Sequence, residues 1–250
     1  MRVKLKKNER IDQLYSNNVS IIQSNDVFSF SLDAVLLAEF AQVGSKRVKN
    51  IIDLCSGNGA VGLFLSSETS AQITMVEIQE KLADMAARSI QLNHLENQVH
   101  VVNDDLKNTT HYISKDSVDV IVCNPPYFVN YETSKKNPNQ YLAIARHEIK
   151  TTIDEITKIS ADLLKTNAKL FVVYRPDRLT DLLLSLRNHH LEPKILQFVR
   201  SKTTSEANMV LVEAIKSGKP NGLRIQEDLI THEGNDYSDK VKRILYGETN

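Results

Sequence analysis

Val48-Lys49-Asn50-Ile51-Ile52-Asp53-Leu54, running into Cys55-Ser56-Gly57-Asn58-Gly59-Ala60-Val61-Gly62, reads as a buried strand, a glycine-rich turn and the start of a helix. The first seven residues are apolar apart from Lys49, Asn50 and Asp53, which suits a strand covered on both faces. Gly57-x-Gly59-x-x-Gly62 by itself fits more than one site. Dinucleotide folds use the same spacing and place a ribose-binding acid about 20 residues further on, where Glu77 stands. Asp53 tilts the choice, because a carboxylate beside the loop repels a pyrophosphate and suits a cationic ligand.

The second informative stretch is Asn124-Pro125-Pro126-Tyr127-Phe128, at the end of the apolar run Val118-Asp119-Val120-Ile121-Val122-Cys123. As a plain strand-ending turn it would need only Asn-Pro. The four ordered residues together offer more. The side-chain oxygen of Asn124 and the carbonyl of Pro125 can each accept one N–H of a planar amino group, whose lone pair is otherwise delocalised. Two prolines stiffen the turn, and Tyr127, followed by Phe128, offers a flat face for a displaced base. An amino group held in this way is an acceptor for a methyl group, and S-adenosylmethionine, with its ammonium and sulfonium, is the cation that Asp53 would suit. Hydride transfer has no evident use for such a turn.

The other expected contacts sit at strand ends. Ser56, Gly57, Asn58 and Gly59 form the loop under the cofactor, and Ile73-Thr74-Met75-Val76 ends at Glu77, whose carboxylate can accept both ribose hydroxyls. Val99-His100-Val101-Val102 ends at Asn103-Asp104-Asp105. Asp105 is the first choice to accept the cofactor's adenine amino group and Asp104 the second; turn or helix-cap chemistry accounts for the other. Near the N-terminus a helix is expected from about Leu32 to Ala41, with Ser31 as cap and Phe30 packing on Val35. Phe28, Phe30 and Asp33 lie along the methionine end of the cofactor on one reading; on the other, the two Phe residues serve only core and staple. Asn124 borders donor and acceptor, and is counted with both sets.

Strands and amphipathic helices alternate along the rest. Lys81 to Leu95, Thr152 to Lys165 with a Thr152-x-x-Glu155 capping box, and Arg178 to Arg187 read as helices; Ala168 to Tyr174, Lys194 to Arg200 and Met209 to Ala214 read as strands. Such alternation predicts an α/β fold, a mainly parallel sheet with helices on both faces and ligands beyond the carboxyl ends of the strands. Residues 1–45 are expected to form a basic segment and a helix packed on the core, 46–216 the catalytic core with a substrate loop at 129–150, and 217–250 an extension of the same domain. The formal net charge is zero and the pI about 7.1, so a nucleic acid would meet a local basic patch rather than a global field. No run of about 18 apolar residues occurs and no secretory leader opens the chain, so no membrane association and a cytoplasmic location are expected. Cys55 and Cys123 lack metal-ligand spacing, as do the histidines, including the pair His189-His190, so no metal is expected; the two thiols read as small buried hydrophobes without a disulfide.

These residues make the chain resemble the class I S-adenosylmethionine-dependent methyltransferases of the small-domain group with an Asn-Pro-Pro-Tyr turn. Within that group it is similar to the bacterial tRNA1(Val) adenine N6-methyltransferase family, which modifies the adenine immediately 3′ of the anticodon, adenine 37. The similarity rests on Phe30-Ser31-Leu32-Asp33-Ala34-Val35-Leu36-Leu37-Ala38, Asp53 to Gly59, Asn124 to Phe128, Ala145-Arg146-His147-Glu148, Tyr174-Arg175-Pro176 and Met209 to Ala214, and spans most of the chain. It implies a Rossmann-like, seven-stranded sheet with an antiparallel last strand. It also implies the same roles for Asp53, Glu77, Asp105 and Asn124, with S-adenosylhomocysteine as the spent cofactor.

Substrate choice is expected in the polar stretch from Val129 to Lys150, where Lys135, Lys136 and Arg146 accompany Tyr131 and Tyr141. The expected reaction is N6-methylation of an adenine in RNA, with tRNA as partner. Methylation of a protein glutamine, of guanine N2 or of DNA adenine uses similar chemistry, and a non-enzymatic RNA-binding module would not need Asn124 and Asp53 intact. Tyr127 separates stacking from hydroxyl chemistry. A stacking platform predicts that Tyr127→Phe keeps most activity and Tyr127→Ala loses about 1–3 kcal/mol of transition-state stabilisation. Equal losses in the two folded variants, measured as kcat/KM, would refute it.

Overall fold

The computed structural model describes residues 3–14, 18–26, 32–126 and 151–247. A hairpin of β1 (Glu9–Leu14) and β2 (Val19–Ser24) comes first, followed by α1 (Leu32–Ala41). Alternation then begins with β3 (Asn50–Leu54), α2 (Ala60–Ser66), β4 (Gln72–Glu77), α3 (Glu80–Leu92) and β5 (Val99–Asn103). It continues through β6 (Val118–Cys123), α4 (Ile153–Leu163), β7 (Leu164–Tyr174), α5 (Leu179–Asn188), β8 (Leu191–Arg200) and β9 (Ala207–Lys216). After these come β10 (Arg224–Ile225), β11 (Leu229–Ile230), a small hairpin at 232–237 and α6 (Asp239–Tyr246). The capping box that opens α4 is formed: Thr152 Oγ1 accepts the Glu155 N–H, and Glu155 reaches back to the Thr152 N–H.

Parallel strands require crossovers, and the helices between them supply these. β5, β4, β3, β6 and β7 are parallel neighbours in that order, and β9 enters antiparallel between β7 and β8. The seven long strands thus form the mainly parallel sheet with a reversed last strand that the resemblance implies. β10 and β11 pair in parallel along the outer edge of β8, covering a row of backbone groups that would otherwise be open to pairing with another chain. Strand order reverses at β3, which has β4 on one side and β6 on the other. The crevice above that reversal is where α/β sheets of this kind receive ligands.

Side chains alternate between two apolar layers. Ile51, Ile73, Val122 and Phe171 face one side with α1, α2 and α3, while Ile52, Leu54, Ile121, Cys123 and Val172 face the other with α4 and α5. α1 is buried along most of its length, from Asp33 to Ala38 and at Ala41, because Val241 and Ile244 of α6 join the same cluster from outside. A helix covered on both sides needs no polar face.

The hairpin of residues 9–24 is not signalled by the sequence, where this stretch reads as a basic segment. It stands apart from the main sheet, and a lone hairpin is marginal in water. Side chains supply what a third strand would. Asn93, which caps the C-terminus of α3, brackets Ser20, accepting its N–H at 2.8 Å and donating to its carbonyl at 2.6 Å. Ser89 Oγ accepts the Ile22 N–H at 2.9 Å, and Asn58 donates to the Ile22 carbonyl at 3.1 Å. Arg88 then clamps β1 by a two-pronged pair with Glu9 at 2.7 Å on each prong, and holds Asp84 on its own helix at 2.6 Å. Arg88→Ala should cost about 2 kcal/mol, since it leaves the charged Glu9 without its partner. Denaturant unfolding checks this, and Glu9→Gln with Arg88→Met together should recover part of the loss.

Candidate active site

Register fixes the site's layout. Leu54 pairs with Val76 and Cys123, and Glu77 pairs with Asn103. Asn103, Glu77, Cys55 and Asn124 therefore form one row across four adjacent parallel strands. With strands about 4.8 Å apart, Glu77 and Asn124 are separated by roughly 10 Å along this row.

The loop between β3 and α2 is held open by its backbone. Cys55, Gly57 and Gly59 all have positive φ, of 58°, 58° and 87°. A side chain at Gly57 would meet no atom within 4 Å, so the loop leaves open space at that point. Gly62 serves packing instead: an added methyl there would come within 2.5 Å of Met75 Cε and 3.3 Å of Asp53 Oδ2. Ser56 donates its N–H to the Val76 carbonyl at 3.1 Å, and Gly59 turns back onto the Ser56 carbonyl at 2.9 Å.

Two carboxylates lie beneath this loop. Asp53 is fully buried on the α2 side; its Oδ2 accepts the Gly62 N–H at 3.0 Å, and its Oδ1 has no partner among the described residues. Burial pushes its carboxyl up to about 8, against the Gly62 hydrogen bond and with a smaller push from Glu77. Glu77 accepts the Gly57 N–H on one oxygen and the Gln79 N–H on the other, each at 2.8 Å. Burial pushes its carboxyl up too, opposed by the N–H groups of Gln79, Gly57 and Ile78. The Glu77 carbonyl in turn accepts from Asp104 N and Asn103 Nδ2, at 3.2 and 2.8 Å, so one residue joins three strand ends.

Asp104 and Asp105 both carry turn chemistry. Asp104 Oδ1 accepts from Asp105 N at 2.7 Å and Asn108 Nδ2 at 2.8 Å, while Asp105 caps a short 3-10 turn by accepting the Lys107 N–H at 3.0 Å. Tyr112 lies near both; burial raises its phenol first, and the two carboxylates add to that. Asn58 is buried and spends its amide N–H on the β1–β2 hairpin, and Ser56 Oγ is buried without a partner among the described residues. Asp33 is buried in the first turn of α1 and accepts the Ala34 N–H at 2.9 Å. Asn124 and Pro125 close the row; Pro125 is buried and Asn124 half-buried. Phe28, Phe30, Tyr127, Phe128, Lys135, Lys136 and Arg146 lie outside the described residues. Gln79 and Asn103 are site residues without a sequence signal, because each acts through a bond to the Glu77 backbone or carboxylate that only the register creates.

Two expectations need adjustment. Cys123 is buried, but Cys55 is half-exposed, because positive φ lifts it out of the strand. Of the N-terminal cations, Lys6 is paired with Asp84 at 2.8 Å and Arg10 with Asp12 at 3.0 Å, which weakens the basic field expected there. His189 has the structural place expected of it, at the end of α5 and 2.9 Å from Asp154. Among the described residues no group of three or more His, Cys, Asp or Glu side chains is placed to hold a metal, and no helix is long and apolar enough to cross a membrane.

The family model of the methyltransferase small domain matches residues 18–190. The chain belongs to this family. As a small-domain methyltransferase it depends on S-adenosylmethionine for its methyl group. It is 29% identical over 180 residues to a tRNA1(Val) (adenine(37)-N6)-methyltransferase of Phocaeicola vulgatus, covering 72% of this chain and 74% of that one. Over 125 residues it is 36% identical to the protein of the same name from Bacteroides thetaiotaomicron, a span of about half of each chain (49% of both). The fold is shared with the crystal structure of a predicted O-methyltransferase from Agrobacterium tumefaciens, with a TM-score of 0.67 at 19% identity over 86% of this chain and 96% of that one.

The raised carboxyl of Asp53 has a measurable consequence. Its folded value, about 8, lies above its ordinary 3.8, so the folded protein keeps a proton that the unfolded chain releases. Stability from this group is full below about pH 4 and is lost as pH rises toward about 8. Asp53→Asn should therefore gain on the wild type in melting temperature as pH rises across this window; a gap constant with pH would refute the assignment.

Proposed function

We propose that the protein methylates N6 of an adenine in structured RNA, tRNA beside the anticodon at adenine 37 of tRNA1(Val), by direct transfer to a flipped-out base. The observation that carries this reading is the row itself. Asn124, with its acceptor turn, stands next to the glycine loop on the strand adjoining the order reversal, and the curated relatives are named for this reaction. The site fits the methyl donor. Space opens over Gly57, and two buried polar atoms, Asp53 Oδ1 and Ser56 Oγ, lack partners among the described residues.

On this reading the loop of Ser56, Gly57, Asn58 and Gly59 lies against the donor. Asp53 supports the loop from below and favours positive charge there. Gly57, Gln79 and, least, Ile78 draw on the roughly four lone-pair sites of the Glu77 carboxylate, which leaves acceptor capacity for the ribose hydroxyls. Asp105 retains Oδ2 for the adenine amino group while Oδ1 caps the turn, and Asp104 is the second choice. Phe30 and Asp33 border the methionine end. Bound S-adenosylmethionine supplies an electrophilic methyl group on a sulfonium.

The acceptor half is built to hold one amino group. Asn124 Oδ1 and the Pro125 carbonyl accept its two N–H groups and turn its lone pair toward the donor. Tyr127 stacks on the base, with Phe128 beside it, and Lys135, Lys136 and Arg146 meet the RNA backbone. No separate base is needed before attack, because the proton leaves after the nitrogen has gained its fourth bond.

Asn124→Ala should abolish transfer while weakening S-adenosylmethionine affinity far less than Glu77→Ala, which should cost about 2 kcal/mol of it. Calorimetric titration of both variants distinguishes these roles, and equal loss in the two would overturn them. Incubation with labelled donor and total tRNA, total protein or DNA tests the substrate. Label is expected in tRNA as N6-methyladenosine; label in protein alone would replace this reading with glutamine methylation.

A further inference from the structure

The chain has two cysteines, and both stand at the centre of the site. Cys123 immediately precedes Asn124 and is fully buried; Cys55 immediately precedes the glycine loop and is half-exposed. By the alternation of β3, Cys55 would follow Ile51 and Asp53 toward α2. It does not. Its φ of 58° breaks the pleat and swings the thiol to the opposite layer, where Cys55 packs against the cluster holding Ile52, Leu54 and Cys123. Cys55 is near enough there to add to the rise that burial imposes on the Cys123 thiol.

The backbone is placed for a covalent link. Leu54 and Cys123 are register partners on parallel strands, so Cys55 stands one step along and one strand across from Cys123. A step of about 3.3 Å and a spacing of about 4.8 Å give a Cα separation near 6 Å. Disulfides bridge Cα separations of about 4.4–6.8 Å.

We infer that Cys55 and Cys123 form a redox-modification site, a resting dithiol that a low-molecular-weight disulfide converts to an intramolecular disulfide, switching methyl transfer off. The half-exposed Cys55 reacts first. Its thiolate attacks one sulfur of glutathione disulfide, the S–S bond breaks, and one glutathione thiolate leaves and takes up a proton. Cys123 then gives its proton to solvent and attacks the Cys55 sulfur, releasing the second glutathione. Two protein thiols are oxidised and one glutathione disulfide is reduced to two thiols. Burial holds the Cys123 thiol well above its ordinary value, so this second step is the slow one.

The link matters because of what each sulfur adjoins. Two thiols in contact hold their sulfurs about 4 Å apart, whereas a disulfide fixes them about 2 Å apart with a Cβ–S–S–Cβ dihedral near 90°. Meeting that geometry turns both residues, and with them the loop before Ser56 and the turn before Asn124, away from their working orientation.

The test uses the full chain with glutathione disulfide. Intact mass should fall by two hydrogens with no glutathione retained, and peptide mapping without reductant should show Cys55 joined to Cys123. Methyl transfer should drop roughly tenfold or more in step with the linked fraction, as expected for a misplacement of about 1 Å, and return with dithiothreitol. Cys55→Ala should keep its activity under the same treatment. If both thiols of the wild type remain open to alkylation, if glutathione stays attached to Cys55 alone, or if linked protein remains fully active, the inference fails. Should Cys55→Ala not fold, the wild-type mass and peptide map still decide. The link is read without any RNA, so its absence is distinguishable from a wrong substrate.

Discussion

The site depends on one carboxylate. Glu77 ends β4 with its side chain turned inward, and its two oxygens receive N–H groups from the glycine loop after β3 and from the first turn before α3. Its carbonyl receives two more from the end of β5. Charge-assisted bonds of this kind are short and directional, so three strand ends that touch only through sheet pairing become one rigid floor. A buried carboxylate is costly unless so satisfied. The same requirement that stabilises Glu77 therefore dictates how the loop above it is shaped.

Asp53 is the contrasting case. One oxygen takes the Gly62 N–H and the other takes nothing among the described residues, and burial pushes the group up to about 8. An under-satisfied acid beneath an open loop is a feature that folding alone does not favour. A cation above the loop would relieve it. The two carboxylates thus differ in kind: Glu77 builds the floor, and Asp53 keeps one oxygen unbonded among the described residues beneath the loop.

The N-terminal hairpin ties this floor to the outside of the molecule. Asn58 sits inside the glycine loop yet bonds to Ile22, and Ile22 is bonded in turn to Ser89 of α3. At Ile22, loop, helix and hairpin are linked by one side-chain-to-backbone hydrogen bond on each side. Displacement of the hairpin would be felt at Gly57 through one hydrogen bond and one peptide bond.

Much of this was legible in the sequence because periodicity and strand-end chemistry are local. The strand of residues 50–54, its glycine turn, the helix near Leu32 to Ala41, the capping box at Thr152 and the reversed last strand all follow from short patterns or from the family they resemble. So do the row members Glu77 and Asn124. What only the tertiary structure decided depends on distance between residues far apart in the chain. The hairpin of residues 9–24 exists because α3 satisfies its free edge, which no local pattern encodes. Gln79 and Asn103 join the site only through bonds to Glu77, and the turn after β5 engages Asp104 and Asp105 both, where the sequence suggested one. The sequence identifies Cys55 as a small apolar residue; the positive φ at the strand's end turns it toward Cys123. Side-chain type is written in the chain, but which face it meets is settled by backbone angles and by the elements packed around it.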